Sequence, residues 1–107
     1  MEIIRNTNNY AGKDFYKLTK SNSVKRMSDI DEADVVTVNG FVIYHDDESD
    51  ADITAIDTDN GAYATNSATF RRTLEEIADI MGEFPIDIKV GHGVSKNGRA
   101  FIFADLV

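Results

Sequence analysis

Cysteine and tryptophan are absent from this 107-residue chain, and proline occurs once. Without cysteine there is no disulfide framework, no thiolate metal site and no cysteine nucleophile. Two histidines, far apart in the sequence, leave little from which to build a zinc centre. No apolar run approaches the ~18 residues of a membrane span, and the opening Met1-Glu2-Ile3-Ile4-Arg5-Asn6 lacks a signal-peptide core. These absences predict a soluble, cytoplasmic protein with no metal or other cofactor and no membrane contact. Hydrophobic residues make up 42% of the chain, enough for the core of one domain spanning residues 1–107.

Charge is unevenly distributed. Nineteen acidic residues against eleven basic ones give a net −8, which taken alone argues against a polyanion partner. Residues 1–28, however, carry six Lys and Arg against two acids, whereas residues 29–60 carry eleven acids and no base. Attraction to a phosphate backbone depends on the field within a Debye length of ~8–10 Å, so a basic face can survive on an acidic protein. Asp46-Asp47-Glu48-Ser49-Asp50 reads as a solvated loop. It fails the calcium-loop pattern, because Ala51 and Asp57 stand where Gly and Glu are needed.

The coarse secondary structure is legible. Val35 to Tyr44 is β-branched and aromatic with Gly40 inside, the pattern of a long strand with a glycine bend. Asp52–Asp57 reads as a second strand, and Asn60-Gly61 turns it into a third, Ala62–Thr65. A helix follows, capped by Asn66 or Ser67 and ended by Gly82, with Phe70, Leu74, Ile77 and Met81 as its apolar stripe. Ile86, Ile88 and Val90 alternate with Asp87 and Lys89, and Asn97-Gly98 reverses the chain into a last strand ending at Val107. Three strands, a helix and two strands predict a mainly β (α+β) fold, an OB-fold-like five-stranded barrel with one helix between strands three and four. Residues 27–107 form the barrel core, with 27–34 as a short helical plug, and residues 1–26 form an N-terminal extension.

Enzyme signatures are missing. Gly91-His92-Gly93-Val94-Ser95-Lys96 has the wrong spacing for a phosphate-binding loop, and no Gly-x-Ser-x-Gly elbow occurs. His45 and His92 read as loop or strand residues rather than bases. No catalytic residue is expected.

A binding surface has more to draw on. On the last strand, Arg99, Phe101, Phe103 and Asp105 share one face, and Ile102, Ala104 and Leu106 the other. Two rings beside an arginine and the Lys96 turn suit base stacking with a phosphate anchor. Periodicity leaves open whether those rings point outward or fill the barrel. Tyr44 and Tyr63 are further stacking candidates, since a tyrosine ring stacks while its hydroxyl stays wet. Arg71 can reach phosphate from the helix start, whereas Arg72 is better read as pairing with Glu75 or Glu76. Lys13, Lys17 and Lys20 fall along one helical flank, either as phosphate contacts or as plain surface.

Tyr63-Ala64-Thr65-Asn66-Ser67-Ala68-Thr69-Phe70, Ile77-Ala78-Asp79-Ile80, Ser95-Lys96-Asn97-Gly98-Arg99 and Tyr16-Lys17-Leu18-Thr19-Lys20 together span most of the chain. They resemble the small single-stranded DNA-binding proteins of phages infecting Gram-positive bacteria. The resemblance implies an OB-type fold, binding of single-stranded DNA with little sequence preference, and a place in phage DNA replication or recombination inside the bacterial host cell. It leaves phage or host replication proteins as partners, although the ending Ala104-Asp105-Leu106-Val107 lacks the acidic tail of bacterial counterparts. Edge strands that pair between chains would give a homo-oligomer such as a dimer. The alternative from another class is an acidic interaction protein, a nucleic-acid mimic whose segment 29–60 occupies a basic site on a host protein.

Overall fold

A computed structural model of the chain describes residues 1–107. Strand β3 (Val35–Asp46) organises it. One edge of β3 pairs with β4 (Ala51–Thr58), with a register shift between Val38 and Gly40. The other edge is shared: Val35–Val38 pair with β6 (Ile86–Val94), and Val42–His45 pair with β1 (Glu2–Asn6). The bend at Gly40 thus divides one strand between two neighbours. A Cβ at Gly40 would sit 2.4 Å from the Asn8 side-chain nitrogen and 2.5 Å from the Tyr10 hydroxyl, so only glycine admits the segment after β1. Asn8 Nδ2 fastens that segment by donating to Asn39 O at 2.8 Å.

Strand β5 (Gly61–Thr65) follows β4 through the Asn60-Gly61 turn, with Gly61 at φ 106°. Helix α2 (Ala68–Met81) is capped by Ser67, whose Oγ accepts from Phe70 N–H at 3.1 Å, and is closed by Gly82 at φ 74°. Phe70, Leu74 and Ala78 are buried and Ile77 partly so, whereas Met81 at the end of the expected stripe is exposed. Strand β7 (Ala100–Leu106) returns against β6. Strand order and the place of α2 follow the sequence pattern from residue 35 onward.

Strand number and closure do not. The sheet has seven strands in the path β2-β5-β4-β3-β6-β7, with β1 beside β3, and curls into a half-barrel. The edge of β5 is taken by β2 (Lys25–Arg26), which adds in parallel. The free edge of β7 is covered by α2: Ala104 N–H donates to Thr73 Oγ1 at 2.8 Å, and the Ser67 hydroxyl donates to Ile102 O at 3.4 Å. With both edges occupied, β5 and β7 do not pair.

The main core lies between the inner sheet face and α2, where Phe41, Phe70, Ile56, Leu74 and Ile88 are fully buried. Met27, in the 3-10 turn Met27–Asp29, is fully buried and plugs it. A smaller cluster of Leu18, Val42, Tyr44 and Ala55 lies under helix α1 (Gly12–Thr19), flanked by Tyr10, Phe15 and Ile53. Residues 1–26 are therefore no appendage: β1 belongs to the sheet, and α1 covers an apolar part of it.

Candidate nucleic-acid interface

The β6–β7 hairpin sets Gly91 opposite Phe103 and Gly93 opposite Phe101. Ile88, Val90, Ile102 and Ala104 point into the core, so the intervening side chains point out. Phe101 is exposed and Phe103 half-buried, which resolves the alternative that periodicity left open. Each ring lies across the glycine facing it. A Cβ on Gly91 would meet Phe103 Cζ at 2.1 Å, and one on Gly93 would meet Phe101 Cζ at 2.4 Å. The ring centroids are 6.1 Å apart with planes tilted by 38°, a shingled aromatic pair resting on bare backbone.

The hairpin tip is rigidly bonded. Ser95 N–H donates to Arg99 O at 2.8 Å, Gly98 N–H donates to Ser95 O at 2.9 Å, and Gly98 sits at φ 78°. Arg99 N–H also donates to Ser95 Oγ at 3.2 Å. Lys96 and Arg99 are exposed at this tip, and Lys89 lies on the same outer face further along β6, opposite Asp105.

Ion pairs decide which cations are available. Of the eleven basic side chains, Arg5, Lys20, Arg71 and Arg72 have a carboxylate within 4.0 Å. The other seven fall in two places. Lys89, Lys96 and Arg99 lie on the β6–β7 hairpin, and Lys13, Lys17, Lys25 and Arg26 on the stretch from α1 to β2. Arg72 pairs with Glu76 at 3.4 Å, as its helical spacing predicts.

Three expected site residues have other work. Tyr44 is only 4% exposed, its hydroxyl donating to Thr19 O at 3.3 Å, and so offers no stacking face. Burial, more than any charge, raises its pKa. Lys20 lies 5.3 Å from the Tyr44 ring centroid and pairs with Asp46 at 3.4 Å. Arg71 is held by Asp52 at 3.1 Å and Glu75 at 3.8 Å, which occupies the guanidinium that was expected to reach phosphate. Tyr63 is half-buried, with the Lys25 ammonium 5.0 Å from its ring centroid. Lys13 and Lys17 are exposed on α1, and the hairpin brings four expected residues together at the surface: Lys96, Arg99, Phe101 and Phe103.

Lys89, Lys25 and the two ring seats escaped the sequence reading. The signal for the seats was present: counting back from the Asn97-Gly98 turn sets Gly-x-Gly against Phe-x-Phe.

Several carboxylates of the acidic segment have partners within the fold, while Asp29, Asp31 and Glu32 line one shallow depression. Asp46 accepts from Ser49 and Lys20, and Asp47 binds the terminal amine at 2.7 Å. His45 lies between Asp52, at 2.9 Å from Nδ1, and Asp50, at 3.2 Å from Nε2. The Asp52 hydrogen bond raises the His45 pKa, and the same bond holds Asp52 below its ordinary value. The Tyr10 hydroxyl donates to Asp57 at 2.9 Å, and burial together with that carboxylate pushes its pKa up. His92 Nε2 donates to Ile30 O at 2.8 Å, and its N–H donates to Glu32 at 2.6 Å. No group of three or more His, Asp or Glu side chains is placed to hold a metal ion. No helix is long and apolar enough to cross a membrane.

Comparison with protein-family models, curated proteins and solved structures gives no match. The functional reading therefore stands on the geometry.

Proposed function

We propose that the chain is a non-enzymatic, single-stranded nucleic-acid-binding module acting in the cytoplasm of a bacterial host, in the manner of the small phage single-stranded DNA-binding proteins it resembles. The observation that carries this reading is the outward Phe101–Phe103 pair beside Lys96 and Arg99, neither of which has a carboxylate within 4.0 Å, with Lys89 further along the same face opposite Asp105. The OB assignment draws support from β3 pairing with both β4 and β6, and from α2 lying between β5 and β6.

The chemistry favours unpaired nucleotides. An aromatic ring stacks on a base only where the base face is free, and in a duplex the neighbouring base pairs occupy it. Stacking is worth about 1–3 kcal/mol per base and is indifferent to base identity. Lys89, Lys96 and Arg99 can neutralise up to three phosphates, for a salt slope of about −2 on single strands. A net charge of −8 opposes any polyanion outside this patch, so affinity is modest and falls steeply with salt. The acidic-mimic alternative has less support, because Asp46, Asp47, Asp50 and Asp52 are engaged within the fold.

Fluorescence-anisotropy titration of a labelled oligo-dT at two salt concentrations, beside a duplex of equal length, tests the reading. It requires binding at low salt, weakening at high salt and preference for the single strand. No binding at low salt, or equal affinity for duplex, overturns it.

A further inference from the structure

The seven cations with no carboxylate within 4.0 Å lie either on the β6–β7 hairpin or between Lys13 and Arg26, and two of the second group, Lys17 and Lys25, line a groove of their own. This groove, of about 640 Å³, runs between α1 and the β4–β5 turn, with Lys17, Lys25, Ser21 and Tyr10 among its walls. Lys25 is fixed rather than free to wander: its ammonium donates to Asn60 O at 2.7 Å and sits over the Tyr63 ring. Asp57, which accepts from the Tyr10 hydroxyl, and Asp14 also line the groove, so its two ammonium groups stand beside two carboxylates.

Groove and hairpin are joined by surface. Lys25 and Asn60 also line a neighbouring depression of about 560 Å³, whose far wall includes Val35. Val35 lies directly opposite Lys89 in the β3–β6 ladder, two residues before Gly91, on which Phe103 rests. A course therefore runs from the hairpin tip over both rings, past Lys89 and Val35, to Tyr63, Lys25 and Lys17.

Resting on the reading of the hairpin as a stacking platform, we propose that the α1 groove holds the sugar–phosphate backbone of the same single strand beyond its stacked bases. Lys17 and Lys25 contact phosphates there. Bases are read at neither end, so the extension adds affinity and salt dependence without sequence preference. Asp34 and Asp29 on the linking depression repel the backbone, which separates the phosphate contacts at Lys17 and Lys25 from those of the hairpin.

The test measures affinities of the full chain for oligo-dT of about 4 and about 16 nucleotides, the range of site sizes for one OB-type fold. Lys17→Ala, Lys25→Ala and their double variant are compared with wild type, with circular dichroism confirming the fold. The Lys17 side chain makes no hydrogen bond in the structure, so its variant guards against a folding artefact at Lys25. Each substitution is expected to weaken binding of the long oligonucleotide about fivefold at 0.1 M salt and to flatten its salt slope by about 0.7. The short oligonucleotide keeps wild-type affinity. Unchanged long-strand affinity in the double variant, or equal loss at both lengths, overturns the groove assignment. If neither oligonucleotide binds wild-type protein, the hairpin reading itself fails.

Discussion

The tip of the Phe103 ring lies against Gly91, its cross-strand partner, where any larger residue would place its Cβ. The same relation joins Phe101 to Gly93 one pair further toward the tip. Bare backbone on β6 supports two rings of β7, which keeps the aromatic surface rigid and facing out. An alanine at Gly91 must displace the ring. Because the ring is half-exposed and can swing toward solvent, Gly91→Ala is expected to cost at most about 1 kcal/mol, below the range for overpacking a sealed core, and to weaken single-strand binding by moving the ring. In a Phe103→Ala background the same substitution becomes nearly neutral, and thermal melts of the four proteins give the coupling.

Ring and cation are expected to separate in a salt titration. Phe101→Ala lowers single-strand affinity by about 1–3 kcal/mol and leaves the log–log salt slope as it was. Arg99→Ala weakens binding on every sequence alike and flattens the slope by about 0.7. Anisotropy titrations at several salt concentrations measure both quantities.

Tyr44 is expected to behave as a core residue. Tyr44→Ala opens a cavity beneath α1 and costs about 3–5 kcal/mol in a denaturant melt, the range for loss of a buried aromatic. Tyr44→Phe removes only the hydroxyl bond to Thr19 O and costs about 1 kcal/mol, with binding unchanged.

Stability is expected to peak at mildly acidic to neutral pH. His45 has its pKa raised by the Asp52 hydrogen bond and the nearby Asp50 carboxylate, so the fold binds its proton more tightly than the unfolded chain does. That stabilisation is complete below the ordinary value of 6.5 and is lost as pH rises through the raised value. Asp46, Asp47 and Asp52 are lowered, first by hydrogen bonds from Ser49, the terminal amine and His45 respectively. Their stabilisation is present above 3.8 and is lost as pH falls through the lowered values. Melting temperatures across this span should trace both limbs, and His45→Gln should flatten the upper one.

Much of the fold could be read in the chain because its local signals agree with its tertiary structure. The Asn60-Gly61 and Asn97-Gly98 turns, the Ser67 cap and the Gly82 stop each sit where the structure uses them. Gly40 marked the bend, but nothing local said that Asn8 and Tyr10 press against it. The place of β1 and α1 depends on long-range burial of Leu18, Val42 and Tyr44, which no short window contains. Strand period two grouped Phe101 with Phe103, and only the packing of Ile102 and Ala104 decided which pair faces outward. Tyr44 and Arg71 misled for a shared reason: residue type suggests a stacking ring or a phosphate anchor, whereas the fold had already partnered both.

The most direct test of the account is to map backbone amides and phenylalanine rings by NMR while oligo-dT is added at low salt. The account predicts the largest shifts at Gly91, Gly93, Arg99, Phe101 and Phe103, with much smaller ones over α2. Saturable binding that leaves those five residues unmoved would contradict it.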